Sequence, residues 1–391
     1  MRRSKKFISR LLVICIITSC FTSSLYADTS NKDFQSKSYV LMEASTGKVL
    51  LEHNSKEQLP PASITKVMTM LLIYEAVENG SISWDDEVSI SEHAASMGGS
   101  QVFMEPGEIQ TVSELLKCIA IASANDAAVA MGEYIAGSVD AFADLMNERA
   151  KELGMEDTVF KNPCGLHKEG HVSTAYDIAL LSRELINNFP ESSEILTIWM
   201  DSITHKTRRG ESEFGLTNTN RLIKAYSGIT GLKTGYTSQS KHCMSATANR
   251  NDMDLIAVVL AAPDSKTRFK EAAQLLDYGF ANYAVKKGHD PDEVLGQAQV
   301  FKGDKERVEY TVKGQINILL PKDKSNQEIS HNIVINPNLT APIKKGDSIG
   351  NIRYSIDQKD LGEVPLVAAY DVNKAKYKHT VKYIFKNYFK I

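Results

Sequence analysis

The chain has 391 residues, of which 42% are hydrophobic and 24% are charged. This balance is typical of a globular protein of two or three domains, and it excludes a disordered chain, a collagen-like chain and a polytopic membrane protein. The 45 basic and 48 acidic residues are unevenly distributed, because residues 1–27 hold five basic residues, residues 372–391 hold six lysines, and neither segment holds an acid. The rest therefore holds 34 basic and 48 acidic residues, a net charge of −14. This acidic body argues against nucleic acid as a partner.

The N-terminus has the order of an export signal. Five basic residues within the first ten precede an apolar core at residues 11–18, which is too short to span a bilayer. Residues 1–27 are predicted to be a signal peptide cleaved after Ala27. The run Ile17-Thr18-Ser19-Cys20 also resembles a lipoprotein box, in which Cys20 would carry the lipid. Both alternatives place the mature protein outside the cytoplasm.

Residues 28–288 are predicted to form an α/β domain, because helices are flanked by early and late strands that one sheet would join. The predicted strands are a pair within residues 38–51, followed by residues 229–236, 242–249 and 253–261. The predicted helices cover residues 63–78, residues 111–136 with a break at 123–125, and residues 140–153, 174–188 and 267–284.

Helical patterns stop after residue 290, where short β-rich runs are divided by Gly, Pro, Asn and Asp. Residues 289–371 are therefore predicted to form a small all-β domain. In residues 372–391, aromatic and aliphatic residues recur at steps of three and four beside a row of lysines. This pattern predicts a basic amphipathic helix whose partner is an anionic membrane surface, with packing on the β domain as the alternative.

Three cysteines lie outside the predicted signal, namely Cys118, Cys164 and Cys243. Their odd number and irregular spacing predict buried free thiols rather than disulfides or metal ligands. His167 and His171 lie in a glycine-rich stretch and are interpreted as polar surface residues. No metal and no cofactor are expected.

A first candidate for chemistry is Ser63-Ile64-Thr65-Lys66 at a predicted helix start. Residues three apart share a helix face, so the Lys66 amine can reach the Ser63 hydroxyl. A serine is a weak nucleophile until a base lies beside it, and a neutral lysine is such a base. The alternative is a capping serine with a solvated lysine.

Two further motifs follow. Ser123-Ala124-Asn125 interrupts two apolar helices, where Ser123 could relay a proton and Asn125 could bind a substrate amide, or either could cap the second helix. Lys233-Thr234-Gly235 lies on a predicted strand. There it could offer a cation, a hydroxyl and room for close substrate approach, or Lys233 could simply protect a sheet edge.

The order, spacing and setting of these three motifs resemble those of the penicillin-interacting serine enzymes, and most closely the low-molecular-mass penicillin-binding proteins that are D-alanyl-D-alanine carboxypeptidases. The resemblance extends from about residue 38 to the tail. It implies a β-lactamase/transpeptidase-like catalytic domain, with an antiparallel sheet and helices on both faces. It also implies removal of the terminal D-alanine from peptidoglycan stem peptides, and covalent inhibition by β-lactam antibiotics.

The resemblance also implies a role for each matching position. Ser63 is the expected nucleophile and Lys66 its base, while Ser123 and Asn125 match the proton-relay and amide-binding residues. The expected substrate-binding set is completed by Lys233, Thr234, Gly235, Tyr236 and Arg268. Within it, the backbone N–H groups of Ser63 and Tyr236 would form the oxyanion hole. Arg268 would help to bind the substrate carboxylate, and its alternative is a solvated arginine at a helix start.

Two other functions stay open from the residues. A serine β-lactamase of similar fold needs a carboxylate that activates water, and Glu184 and Asn188 have the required spacing. Glu184 is nevertheless interpreted as solvated helix surface, since it lies on a periodic helix. The other alternative is a catalytically inactive wall-binding scaffold, which the intact motifs argue against.

Overall fold

The computed structural model describes residues 34–207, 210–357 and 359–376. Its α-helices are α1 Lys66–Glu78, α2 Glu92–Ala95, α3 Val112–Lys117, α4 Asn125–Ala136, α5 Val139–Glu152, α6 Ala175–Asn188, α7 Ser192–Leu196, α8 Leu222–Ala225 and α9 Ser265–Asn282. A 3-10 turn, Ala62–Thr65, leads into α1, and a π-helical turn, Cys118–Ala122, follows α3.

The strands of the first region are β1 Ser38–Glu43, β2 Val49–His53, β3 Glu87–Ser89, β4 Ile109–Thr111, β5 Met200–Thr207, β6 Gly210–Thr217, β7 Ile229–Thr237, β8 Lys241–Arg250 and β9 Met253–Ala262. The later strands are β10 Tyr283–Lys287, β11 Gly296–Gln299, β12 Arg307–Val312, β13 Asn317–Pro321, β14 Ser330–Ile335, β15 Ser348–Ile356 and β16 Lys359–Ala368.

A five-stranded antiparallel sheet in the order β2-β1-β9-β8-β7 organises the catalytic region. The first and last strands of this region are neighbours in the sheet, since β1 pairs with β9 from Ser38↔Leu260 to Glu43↔Leu255. Strand β7 is the last strand of this sheet, so one of its edges remains free of strand pairing. That edge carries the Lys-Thr-Gly motif.

Helices cover both faces of the sheet. On β9, Ile256, Val258 and Leu260 face the large core that includes α1 and α6. Leu255 points to the opposite face, where a Cβ atom on Gly279 of α9 would come within 2.4 Å of its side chain. Alternate residues of a strand point to opposite faces, so burial on both sides explains why β9 is almost continuously apolar.

Helix α1 lies in the middle of the large core. Ten of its 13 residues are buried, including Lys66 at its first position. A helix that is apolar on all sides is typical of a central position. The residues at its start are therefore held by packing on every side.

The later strands build the all-β region. One antiparallel sheet has the order β11-β12-β16-β15-β14, and β10 pairs with β13 in a second. Their inward residues form a separate core that includes Val308, Ile352 and Leu366. Alternating burial along β12 and β15 fits strands with one face buried.

The structure confirms most predicted elements and corrects several. The β5–β6 hairpin was not predicted, and α9 ends at Asn282, where strand β10 replaces its predicted last residues. The signal segment and residues 377–391 of the predicted C-terminal helix lie outside the described residues. Residues 372–376 are described, and there Val372 and Lys374 form isolated β-bridges with Ile343 and Gly303. No helix in the described part of the chain has the length and apolarity needed to cross a membrane.

Candidate active site

Ser63 lies in the 3-10 turn before α1, and this turn is tightly held. The residue before it, Ala62, has φ of 49°, a left-handed conformation that is unfavourable for a residue with a Cβ atom. Two glycines lie in close contact with the turn. A Cβ atom on Gly165 would lie 1.9 Å from the Ala62 carbonyl oxygen, and one on Gly235 would lie 2.9 Å from that of Pro61. Only residues without a side chain fit at these two positions.

Lys66 is fully buried, which excludes the solvated lysine of the alternative interpretation. Its Nζ atom lies 3.1 Å from Ser63 Oγ, 2.6 Å from Asn125 Oδ1 and 2.7 Å from the Cys164 carbonyl oxygen. Burial lowers the pKa of Lys66 to about 8, and nearby negative charge on Cys164 and Asp126 would oppose that shift. A sizeable fraction of the amine is therefore neutral close to physiological pH.

The three contacts of Lys66 also orient the amine. The Asn125 and Cys164 oxygens are acceptors, so they take both hydrogens of a neutral amine. The remaining lone pair then faces the third contact, the hydroxyl of Ser63. This geometry suits removal of the serine proton.

The Ser123-Ala124-Asn125 motif breaks the helical path as predicted. Ser123 has φ of 61° at the end of the π-helical turn, and Asn125 is the first residue of α4. Neither side chain caps α4, whose N-cap is Ala124. The Asn125 amide instead donates from Nδ2 to the Gly98 carbonyl at 2.6 Å while it accepts from Lys66. The break therefore directs Asn125 into the site.

Asp126 is a residue that the motifs did not indicate. It is fully buried, and its carboxylate accepts from the backbone N–H groups of Val102 and Ala127, both at 3.0 Å. These bonds hold the loop of residues 98–104 in place. The Gly98 carbonyl of the same loop accepts the hydrogen bond from the Asn125 side chain. Asp126 directly follows Asn125 at the start of α4. The only sign of it in the sequence was that acidic residues are favoured at the start of a helix.

Lys233, Thr234 and Gly235 lie on β7 beside the turn that carries Ser63. Lys233 is only 1% exposed, so it does not protect a solvent-facing edge, and its Nζ atom donates to the Thr234 carbonyl at 3.2 Å. The Thr234 hydroxyl donates to Thr219 Oγ1 at 2.7 Å. Gly235 was expected to leave room for the substrate, but it also lets β7 approach the nucleophile turn closely.

The electrostatics of this strand are set by burial. Burial holds the pKa of Lys233 well below its ordinary value, and the positive charges of Lys66 and Arg268 make a smaller contribution in the same direction. A ligand carboxylate beside Lys233 would oppose this shift, because an anion favours the ammonium form. The site is thus more cationic with an anion bound than without one.

Arg268 on α9 is not a solvated arginine, since it is 8% exposed. It donates from Nη1 to the carbonyls of Gly235 at 2.9 Å and Cys243 at 3.3 Å. Burial lowers its pKa to about 10, so it remains a cation at neutral pH. Its Nε atom is buried without a hydrogen-bond partner. On β7, Tyr236 is 59% exposed, and its ring lies against that of His242 with the ring centroids 4.5 Å apart.

The segment of residues 161–171 holds the start of α1, and we call it the clamp segment. Thr69 donates to the Pro163 carbonyl at 2.6 Å, and Lys66 donates to that of Cys164. His171 Nε2 lies 2.8 Å from Thr65 Oγ1. His171 is 4% exposed, so its interpretation as a surface residue is wrong. Its glycine-rich surroundings gave no sign of this burial.

Glu184, the candidate of the β-lactamase alternative, has a structural partner. Its carboxylate accepts from Arg149 Nη2 at 2.6 Å, and the same guanidinium binds Glu75 at 2.8 Å. It is therefore an ion-paired residue rather than the solvated one that was expected.

The three cysteines are buried free thiols, as predicted. In the described ranges no group of three or more His, Cys, Asp or Glu side chains is suited to a metal ion.

Sequence comparison agrees with this geometry. The family profile described as D-alanyl-D-alanine carboxypeptidase matches residues 26–264, and that described as penicillin-binding protein 5, C-terminal domain, matches residues 283–374. D-alanyl-D-alanine carboxypeptidase DacF of Bacillus subtilis (strain 168) is 43% identical over 95% of both chains. DacC of Escherichia coli (strain K12) is 34% identical over 86% of this chain and 84% of its own.

Solved structures agree as well. Penicillin-binding protein 5 of Haemophilus influenzae has a TM-score of 0.76 at 31% identity, covering 88% of this chain and 99% of its own. Penicillin-binding protein D2 of Listeria monocytogenes, solved in its ampicillin-bound form, has a TM-score of 0.57 at 32% identity and covers 64% of this chain and 100% of its own. The chain belongs to the D-alanyl-D-alanine carboxypeptidase family of penicillin-binding proteins, a family of serine hydrolases. The predicted antiparallel catalytic fold followed by an all-β domain is confirmed.

Proposed function

We propose that the enzyme removes the terminal D-alanine from peptidoglycan stem peptides ending in D-Ala-D-Ala, through an acyl-enzyme formed on Ser63. The observation that carries this proposal is the contact of 3.1 Å between Lys66 Nζ and Ser63 Oγ. Two carbonyl oxygens accept the hydrogens of the neutral amine, so its lone pair is directed at the Ser63 hydroxyl and can accept the proton of that hydroxyl.

Acylation begins when Ser63 Oγ attacks the penultimate D-alanine carbonyl and its proton passes to Lys66. The tetrahedral oxyanion is stabilised by the backbone N–H groups of Ser63 and Tyr236. The C–N bond then breaks, and the leaving D-alanine amine takes the proton through the hydroxyl of Ser123. Water hydrolyses the ester, which releases the shortened peptide and returns the proton to Ser63.

The leaving D-alanine carries a carboxylate, and β7 with α9 provides its binding groups. Thr234 offers a hydroxyl, Arg268 a guanidinium with a free Nε–H, and Lys233 an amine that gains charge beside an anion. On the other side of Ser63, Asn125 offers its amide to the substrate backbone. Charge complementarity thus gives the scissile bond one orientation.

β-Lactam antibiotics enter the same reaction as covalent inhibitors. Their ring carbonyl acylates Ser63, but the cleaved amine stays attached to the acyl group and blocks the approach of water. The ampicillin-bound form of the Listeria monocytogenes relative supports this assignment.

The test is intact-mass spectrometry after incubation with benzylpenicillin, together with a D-alanine release assay on a D-Ala-D-Ala peptide. We expect a long-lived adduct of one penicilloyl group, D-alanine release, and loss of both in Ser63→Ala. Ser227→Ala, at an exposed serine, is the control and should behave like the unmodified protein. Rapid penicillin turnover would instead identify a β-lactamase, and the absence of any adduct would identify an inactive scaffold.

We further propose that the protein is exported and held peripherally at the outer face of the cytoplasmic membrane. The support is the order of charge and apolarity in residues 1–27 and the lysine-rich periodic pattern of residues 372–391. Export places the enzyme beside its peptidoglycan substrate.

A further inference from the structure

A groove adjoins the proposed active site on the side of the clamp segment. It has a volume of about 700 Å³ and lies between the clamp segment and the region where α4 ends and α5 begins. Cys164 lines it, and the carbonyl of the same residue accepts from Lys66. The groove and the active site therefore share one wall.

The groove opens next to Asn125. A Cβ atom placed on Gly99 would lie 2.8 Å from the Asn125 amide nitrogen and 3.6 Å from Leu166 Cδ2, so these two side chains flank the same point. Leu166 also lines the groove. A chain that passes Asn125 on leaving the site meets the groove directly.

The proposed reaction fixes which part of the substrate leaves in that direction. The carboxylate of the leaving D-alanine is assigned to Lys233, Thr234 and Arg268, on the β7 side of Ser63. The two parts of the substrate extend in opposite directions from the scissile carbonyl. The acyl part, which holds the earlier residues of the stem peptide, therefore extends past Asn125.

The charges on the clamp-segment wall of the groove favour an anion. Lys161 and Lys168 lie on the clamp-segment wall, and neither forms an ion pair with any residue in the described ranges. Their charges reach inward, since both lower the pKa of His171. On the opposite wall, Glu133 already accepts from Ser91 Oγ at 2.6 Å and pairs with His93 at 2.9 Å, while Asp140, in the first turn of α5, is exposed to solvent.

We propose that this groove binds the acyl part of the stem peptide and that Lys161 and Lys168 recognise a carboxylate on it. The inference rests on the proposed function, because the direction of the peptide follows from the proposed carboxylate site. It makes the enzyme selective for D-Ala-D-Ala peptides with an acidic residue ahead of the reacting end. A shorter peptide reacts without this contribution.

The test compares three substrates on the mature protein. These are a pentapeptide ending in D-Ala-D-Ala whose second residue has a free carboxylate, the same peptide with that carboxylate amidated, and N-acetyl-D-Ala-D-Ala. The variant is Lys161→Gln/Lys168→Gln. The control is Lys151→Gln/Lys313→Gln, which removes equal charge at two exposed lysines away from the groove.

We expect the groove variant to lower kcat/KM roughly tenfold for the acidic pentapeptide, chiefly through KM. Its kcat/KM for the other two substrates, and its rate of acylation by benzylpenicillin, should stay within about twofold of the unmodified protein. The control variant should match the unmodified protein on all three substrates.

An unchanged kcat/KM for the acidic pentapeptide would overturn the inference. Equal losses on all three substrates would overturn it too, because they would show damage to the active site rather than loss of a carboxylate contact. Failure of the unmodified protein to release D-alanine from any substrate would instead refute the proposed function, and with it the orientation on which the inference rests.

Discussion

The Nε2 atom of His171 lies 2.8 Å from the Oγ1 atom of Thr65, the last residue of the turn that carries Ser63 and the residue next to Lys66. The other ring nitrogen, Nδ1, accepts from the Lys161 backbone N–H at 3.2 Å. An imidazole that accepts at Nδ1 carries its hydrogen on Nε2, so His171 donates to Thr65. The clamp segment is thus attached to α1 by a neutral histidine.

This attachment predicts a pH-dependent part of the stability. Burial lowers the pKa of His171 from 6.5 to about 4, so the unfolded chain binds this proton more readily than the folded one. The stabilisation is complete above pH 6.5 and is lost as the pH falls towards 4, and it amounts to about 3 kcal/mol. Chemical denaturation of the unmodified protein and His171→Gln at pH 7 and pH 4.5 measures it.

Gln keeps a side-chain donor but does not titrate, so His171→Gln should lose less stability between these two pH values. His53→Gln, at an exposed histidine, is the control and should follow the unmodified protein. Equal losses in all three proteins would show that His171 does not carry this pH dependence.

A second prediction concerns the pH profile of acylation. Only the neutral form of Lys66 accepts the Ser63 proton, and its pKa is about 8. The rate of acylation by benzylpenicillin should therefore fall about tenfold per pH unit below 8 and level off above it. Stopped-flow acylation between pH 6 and 9 gives the profile.

The variant Lys66→Ala should lower the acylation rate by about 10²–10⁴-fold while the dissociation constant of the initial complex changes little. Lys151→Ala, at an exposed lysine of α5, should retain the profile of the unmodified protein. A flat profile from pH 6 to 8 in the unmodified protein would contradict Lys66 as the titrating base.

A third prediction separates the charge of Arg268 from its geometry. The side chain bonds the Gly235 and Cys243 carbonyls through Nη1 while its buried Nε–H remains unpaired. Lysine keeps the charge but cannot reproduce this planar set of donors. Arg268→Lys should therefore lower kcat/KM for a D-Ala-D-Ala peptide roughly tenfold, chiefly through KM.

The control for this prediction is Arg353→Lys, at an exposed arginine of the β domain. A substrate with an amidated C-terminus, which lacks the carboxylate, should be a poor substrate for all three proteins and show little difference between them. If Arg268→Lys weakened both substrates by the same factor, its role would be to support β7 rather than to bind the carboxylate.

Local sequence patterns predicted the helices and strands that carry the site, because each of these elements is determined largely by residues that are close together in the chain. The spacing of Ser63 and Lys66 is helical, and the break before Asn125 follows from polar residues between two apolar helices. Long apolar strands predicted the sheet, since β9 is buried on both faces. Residue properties and spacing could not bring the three motifs together, and here the family resemblance was needed.

The features that the sequence did not predict depend on contacts between residues that are distant in the chain. His171 is buried where it contacts Thr65, 106 positions away in the chain. The β5–β6 hairpin has few apolar residues, and it is held in part by a bond of 2.7 Å between His205 and the buried Glu108. A polar residue that is buried by a distant partner has the same local pattern as an exposed one.

The last prediction concerns the C-terminal tail. Val372 is fully buried and pairs with Ile343, so a truncation that removed it would disturb the β domain. Removal of residues 377–391 alone leaves this contact in place and takes away four of the six tail lysines. Since each lysine near an anionic surface contributes about 1 kcal/mol, the truncated protein should no longer bind anionic vesicles.

The measurement is co-sedimentation with vesicles that contain anionic lipid, using residues 28–391 and 28–376, so that Cys20 cannot contribute a lipid anchor. D-Alanine release from a soluble peptide should be equal in the two proteins, because the residues placed in the site end at Arg268. A third protein, with Lys378, Lys382, Lys386 and Lys390 changed to Gln, keeps the apolar residues and should bind weakly, with little dependence on salt. Equal sedimentation of the full and truncated forms would show that the tail does not bind the membrane surface, and would favour lipidation of Cys20 as the anchor.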